Sequence, residues 1–534
     1  MGICYHLCNL KLSKLKPNSY RFPRKMKGKY MYSKVLSAFI KGVSIELVDV
    51  ECDISSGLPI IDMVGLLASD VKEAKNRVRT ALKNADIFLP PKRITINLSP
   101  ANVRKQGNIF DLPIALTMLA SLGIVEKGKL EGVLVMGELG LDGSVNSVNG
   151  VLPVIAEAKK MGVKNFIVPL NNIEEGKLVA GVKIAGVSSI LEAIDVVNKD
   201  GYVLTYGRDR VMFGEDFINC KDFIDVCGQE SVKRAVMVAA AGMHNILMVG
   251  APGTGKTMIA ERIPYILPKP SIEECLEITK IQSIVGELQS DGLVMERPFR
   301  APHHTISKMA LIGGGNVPHP GEITKAHGGV LFLDELAEFK SETLDTLRQP
   351  LENERVVINR NNGNYIFPAS CMLVTATNPC KCGYYPDRNK CSCSDVSVSR
   401  YINRISGPML DRMDIWIFIP KVDMKNVQNG KCMSSKEMYI KIENARKIQE
   451  ERYKDSQVKY NGKLSGKDVL KYCKLGKKEK EFLQSIFESK GISYRGYYKI
   501  IKLARTIADL EGCEEIGVAH LAEAAGYRNE WRSM

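Results

Sequence analysis

The sequence predicts a multidomain α/β protein whose central part is a parallel sheet covered by helices, and three observations carry that prediction. An apolar β-forming run from Ile246 to Val249 ends in a glycine-rich turn and opens a helical pattern. Two more such runs, from Val330 to Leu333 and from Met372 to Thr375, alternate with helical spacings, as the strands of a parallel sheet with crossover helices do. Past Gln428 the β runs stop, and spacings of three and four take over, as in Ile500, Leu503, Ile507 and Leu510, which predicts a terminal helical domain.

With 534 residues the chain has room for about three domains of ~150 residues each. Its 45% hydrophobic and 25% charged content is that of a globular protein and excludes disordered or collagen-like classes. The net charge of +14 is misleading as a pointer to acidic partners. Residues 1–30 hold eight Lys or Arg and no acid, which leaves +6 (14 − 8) for the rest. That segment is set apart as a basic extension, with Met31 as an alternative start. The longest apolar stretch, from Leu112 to Val125, spans 14 residues, too few to cross a membrane. Fourteen cysteines without an export signal point to a reducing, cytoplasmic setting, where clustered thiols are first read as metal ligands or core residues.

Residues 31–205 read as one α/β unit. Strand-like alternation over 33–63 ends at Ser55-Ser56-Gly57. A helix follows from Ser69, with Val71, Ala74, Val78, Ala81 and Leu82 on one face, and Arg93 to Leu98 reads as a buried strand. The polar stretch from Gly201 to Gly214 marks a boundary, so the second domain is expected over 215–425 and the helical domain over 431–534.

The turn after Val249 is Gly250-Ala251-Pro252-Gly253-Thr254-Gly255-Lys256-Thr257, a complete phosphate-binding loop between strand and helix. Its glycines let backbone N–H groups surround the phosphates of ATP, Lys256 neutralises the β and γ oxygens, and the Thr257 hydroxyl ligates Mg²⁺. The strand from Val330 to Leu333 ends in two adjacent carboxylates. Asp334 is placed to hold Mg²⁺ and Glu335 to polarise the attacking water as general base. The strand from Met372 leads into Thr377-Asn378-Pro379, where Asn378 either senses the γ-phosphate or only starts a turn.

These residues resemble the AAA+ superfamily, and within it the magnesium-chelatase-like branch of the ComM/YifB competence-protein family. The resemblance runs from about residue 31 to the end. It rests on the segments from Arg297 to His304, Gly313 to Gly315, His327 to Glu335, Ala376 to Cys380 and Ser406 to Asp414. It implies an ATP-hydrolysing ring, hexameric in the family, that acts on single-stranded or branched DNA as a branch-migration helicase. It implies that Arg412 is an arginine finger reaching a neighbour's ATP and that Arg495 is a second sensor on a helical lid; either arginine is otherwise a surface ion pair. The first domain is similar to the Lon-protease (ribosomal S5 domain 2-like) fold. The positions of the Lon Ser–Lys dyad hold Ile109 and Leu152, neither of which can attack or accept a proton, so no peptidase activity is expected. The rival readings are a chelatase-type motor for metal insertion and a protein-remodelling ATPase.

Cys380-Lys381-Cys382 and Cys391-Ser392-Cys393 bring together four thiols that either close a structural Zn²⁺ site or remain reduced. His303, His304, His319 and His327 lack a regular ligand spacing; they are read as supporting the loop beside the nucleotide site and are given no catalytic role. Arg355 to Phe367 reads as a hairpin around Asn361-Asn362-Gly363, with Arg355 and Arg360 either on nucleic-acid phosphates or simply solvated.

Overall fold

The computed structural model describes residues 32–205, 221–288, 292–360, 363–421, 432–456, 458–490 and 492–528. The basic segment 1–30 and most of the two expected boundaries, at 206–220 and 422–431, lie outside the described residues. The chain divides between Arg210 and Val211 into two compact units.

The first unit is built on a mixed sheet of eight strands. At its centre Tyr32–Lys41 and Ser44–Ser55 pair antiparallel, with Tyr32 opposite Asp53 and Lys41 opposite Ser44. Arg93–Ser99 extends this side antiparallel, and Ile61–Val64 runs parallel to it at the edge. On the other side Val133–Val135, Asn165–Pro169 and Lys183–Val187 follow in parallel. The helix Asp111–Ser121, buried at every residue, packs on the central pair. Its Asp111 carboxylate accepts from Arg77 Nε at 2.7 Å and Arg77 Nη2 at 2.8 Å, so the buried charge is paired as burial demands. The helix Ser69–Asn84 buries Val71, Ala74, Val78, Ala81 and Leu82, the stripe that predicts it. Ile109 and Leu152 are both core residues here.

The second unit holds a five-stranded, wholly parallel sheet in the order Phe299–Arg300, Val330–Leu333, Met372–Thr377, Ile246–Gly250, Ile415–Ile419. Val330–Leu333 and Met372–Thr377 are buried along their whole length because helices cover both faces, which is why their sequences are continuously apolar. A parallel sheet gathers the C-terminal ends of its strands at one edge and the N-terminal ends at the other.

Residues 432–528 are helical, as expected, but they do not pack as a separate body. Met248, Ile415 and Val236 of the sheet layer share one continuous hydrophobic cluster with Ile442, Leu503 and Leu521. The cause is the width of the apolar stripe on Tyr494–Leu510, which buries Ile500, Ile501, Leu503, Ala504, Ile507 and Ala508 and covers the helix Glu230–Gly242. The expected hairpin forms from Arg355–Arg360 and Gly363–Pro368, while Asn361 and Asn362 lie outside the described residues. Arg360 turns back to donate to Gly315 O at 3.1 Å, and Arg355 is exposed.

Candidate active site

The loop from Gly250 to Thr257 leaves the C-terminal end of Ile246–Gly250 and enters the helix Lys256–Ala260. Gly255, with φ +86°, turns the chain in the left-handed region that side chains avoid. At Gly250 a Cβ atom would stand 2.9 Å from Ile419 O, so the first glycine is required by the neighbouring strand. Lys256 Nζ donates to Gly250 O at 2.7 Å, Ala251 O at 3.0 Å and Asn378 Oδ1 at 3.1 Å. Desolvation lowers the Lys256 pKa, and the charges of Asp334 and Glu335 oppose that shift.

Thr257 Oγ1 donates to Asp334 Oδ2 at 2.8 Å, joining the loop to the end of the carboxylate strand two places along the sheet. The sensor strand Met372–Thr377 lies between the two, which explains why its Asn378 reaches Lys256. Glu335 is held in the left-handed region at φ +51°, with its N–H donating to Asp334 Oδ1 at 2.8 Å. Such a conformation costs roughly 1 kcal/mol in a non-glycine residue and is concentrated at functional sites. The five side chains Lys256, Thr257, Asp334, Glu335 and Asn378 thus stand along one edge of the sheet, a charged and hydrogen-bonding crevice suited to a Mg²⁺-bound polyphosphate.

Arg412 and Arg495 are elsewhere. Arg412 precedes Ile415–Ile419, and its carbonyl accepts from Asn245 Nδ2 at 3.0 Å just before Ile246–Gly250 begins. That is the N-terminal edge of the sheet; at ~3.3 Å per residue a five-residue strand places it roughly 16 Å from the phosphate loop. Its guanidinium donates to Glu352 Oε2 at 2.8 Å, and Arg495 Nη2 lies 3.9 Å from Glu352 Oε1. Arg495 therefore stands beside Arg412, not over its own chain's phosphate loop. The helix that carries it, Tyr494–Leu510, packs on Glu230–Gly242, and its Lys499 donates to Met413 O at 3.0 Å beside that same edge of the sheet.

The four thiols converge. The Sγ atoms of Cys380, Cys382, Cys391 and Cys393 all lie within 4.8 Å of one another. Burial would raise the Cys382 thiol, but hydrogen bonds from the Tyr384 N–H and the neighbouring thiols bring it down to about 6. The group is a donor set of the size and softness that tetrahedral Zn²⁺ takes.

Three residues given no catalytic role by the sequence are in contact with this machinery. His304 Nδ1 lies 3.3 Å from Glu335 Oε2. Gln229 Nε2 donates to Thr254 O of the loop at 3.1 Å. Glu352 joins the two arginines. The adjacent histidines at 303 and 304, separated by two residues from the strand Phe299–Arg300, are the signal that could have been followed further.

Comparison with known proteins agrees with this geometry. Residues 222–427 match the family described as magnesium chelatase, subunit ChlI; residues 50–172 match subunit ChlI of Mg-chelatase, and residues 432–528 match the ChlI C-terminal family. These matches place the chain in the magnesium-chelatase-like AAA+ class. Within it, the chain is 40% identical over 506 residues to competence protein ComM of Haemophilus influenzae, covering 92% of this chain and 97% of that one. It is 39% identical over 491 residues to the uncharacterized protein YifB of Escherichia coli, covering 91% and 95%. The magnesium-chelatase 67 kDa subunit of Chlorobaculum tepidum is 26% identical over 161 residues, covering 29% and 23%. The chain belongs to the ComM/YifB family of magnesium-chelatase-like AAA+ proteins.

Proposed function

We propose that this protein is an ATP-hydrolysing ring motor that works on single-stranded or branched DNA in the cytoplasm. The observation that carries the ATPase reading is the convergence of Lys256, Thr257, Asp334, Glu335 and Asn378 on one sheet edge. ATP enters with its phosphates on the loop from Gly250 to Thr257. Thr257 and Asp334 would hold Mg²⁺, Glu335 would take the proton of the attacking water, and Asn378 and Lys256 would fix the γ-phosphate. Mg²⁺ supplies charge neutralisation when bound. Cys380, Cys382, Cys391 and Cys393 hold a structural Zn²⁺.

The same geometry supports assembly. Arg412 is too far from its own phosphate loop to act there, so it serves a neighbour's ATP, with Arg495 beside it. A site that takes its loop from one copy and its arginines from the next requires head-to-tail contacts, which close into a ring, six copies in our reading. The first unit, with Ile109 and Leu152 in its core, is a Lon-like domain without peptidase activity that serves in assembly or substrate binding. The DNA substrate is supported by the match to a protein named for competence over nearly its whole length. Among the described residues no helix is long and apolar enough to cross a membrane.

ATP hydrolysis by the full chain, with and without single-stranded and forked DNA, tests this reading, with Glu335→Gln as control. Turnover stimulated by DNA and lost in the variant supports it. Turnover indifferent to every DNA overturns the DNA motor and favours the chelatase-type or protein-remodelling reading that the ChlI matches keep open.

A further inference from the structure

The cysteine loop is not a remote appendage of the second unit. It begins two residues after Asn378, whose Oδ1 accepts from Lys256 Nζ at 3.1 Å. Inside the loop, Gly383 is pressed against the phosphate loop itself. A Cβ atom at Gly383 would stand 2.4 Å from Pro252 Cδ and 2.8 Å from Pro252 Cγ. Gly383 also lies at φ +87°, a left-handed backbone state that favours glycine, within the segment that runs from Cys380 to Cys393. Next to it, the Tyr384 ring receives the Lys421 ammonium at 5.0 Å, just beyond the end of Ile415–Ile419. The loop therefore touches the crevice from both sides of the glycine: Asn378 at its entrance and Pro252 at its turn.

A segment of this kind, with no regular secondary structure between Pro379 and Ser394, has little of its own to keep it ordered. Four thiolates on one cation supply that order, because they fix both arms of the loop at a single point.

We propose that a divalent soft metal ion, Zn²⁺ by its donor set, bound by Cys380, Cys382, Cys391 and Cys393 holds Gly383 against Pro252 and thereby shapes the phosphate loop, so that metal occupancy sets nucleotide affinity. The inference rests on reading the four thiols as a metal site and the loop from Gly250 to Thr257 as the nucleotide site. Metal binding displaces the thiol protons to solvent and involves no change of oxidation state. The metal is a wall of the nucleotide crevice, not a participant in the chemistry.

The test uses the full chain and two readouts kept apart: zinc content by elemental analysis, and the Kd of a fluorescent ATP analogue. The expected result is one Zn²⁺ per chain, its loss in the double variant Cys391→Ser/Cys393→Ser, and a rise in nucleotide Kd of about tenfold, the effect of having to order one or two loop residues on binding. Gly383→Ala is expected to keep its zinc while raising Kd. Adding Pro252→Ala to it should bring Kd part of the way back, because the collision is relieved while the φ of +87° still strains the alanine. Zinc lost with Kd unchanged, together with an unchanged Kd in Gly383→Ala, overturns the coupling and leaves the metal site standing. Absence of zinc from the wild-type chain, even after incubation with Zn²⁺ under reducing conditions, overturns the metal site and the coupling with it.

Discussion

His304 Nδ1 stands 3.3 Å from Glu335 Oε2, so the carboxylate placed to act on water is held by an imidazole from the loop after the neighbouring strand. The His303 ring, 4.0 Å from that of His304, backs it. A general base works only when its lone pair is aimed at the proton it takes, and a shift of about 1 Å can lower turnover on the order of 100-fold. His304→Ala is expected to lower kcat by ~10- to 100-fold with KM for ATP little changed, and His304→Gln to recover part of the loss. Equal kcat in wild type and His304→Ala would remove His304 from the mechanism.

Glu335→Gln keeps the shape of the site and removes the proton acceptor. Nucleotide binding is expected to persist while hydrolysis falls by ~10²- to 10⁴-fold. Lys256→Ala should lose binding itself, since its ammonium sits where the phosphates would displace Gly250 O, Ala251 O and Asn378 as its partners. Filter binding beside phosphate release distinguishes the two variants; hydrolysis retained in Glu335→Gln would assign the base elsewhere.

Arg412→Ala and Lys256→Ala should each be inactive alone, yet mixing them should restore measurable ATPase. The mixture contains sites that join an intact loop from one copy to an intact Arg412 from the next. No recovery at any mixing ratio, with assembly verified by sedimentation, would rule out the shared site.

Asp414 ties the two halves of the second unit together. Its carboxylate accepts from the Asn245 N–H at 3.0 Å and pairs with Lys499 Nζ at 3.1 Å, with the fully buried His244 at 3.8 Å. Burial alone would raise the Asp414 pKa, but the Lys499 charge and the His244 contact outweigh it and hold the carboxyl far below the usual range. A depressed folded-state pKa means that the pair's stabilisation is present above the unfolded value of about 4 and is lost as pH falls below it. Asp414→Asn leaves Lys499 buried without a counter-charge and should cost ~3 kcal/mol in urea unfolding at neutral pH. That difference between variant and wild type should narrow at low pH; a difference that grows on acidification would contradict this account.

What the sequence discloses follows from how local each signal is. The phosphate loop is legible because every residue that shapes it lies within eight consecutive positions. The parallel sheet is legible because strands buried on both faces must be apolar throughout. The merging of the helical segment with the sheet layer is not, since the amphipathic stripe of Tyr494–Leu510 states that a face is buried without stating against what. The Arg412–Glu352–Arg495 arrangement joins three segments far apart in the chain, and no spacing rule encodes it. The His304 contact depends on Phe299–Arg300 pairing with Val330–Leu333, and a two-residue strand is too short to leave a periodic trace.

In the proposed ring the parallel sheet, with Lys256 at one edge and Arg412 at the other, gives each copy a donor end and an acceptor end. A defect at either end would then be counted at a different address: a chain that loses Lys256 would silence the site it owns, whereas one that loses Arg412 would silence the site of the copy it touches. In a mixed population the second kind of chain would still bind nucleotide normally while poisoning its neighbours, so Arg412 is the position at which a dominant-negative variant of this protein is to be sought.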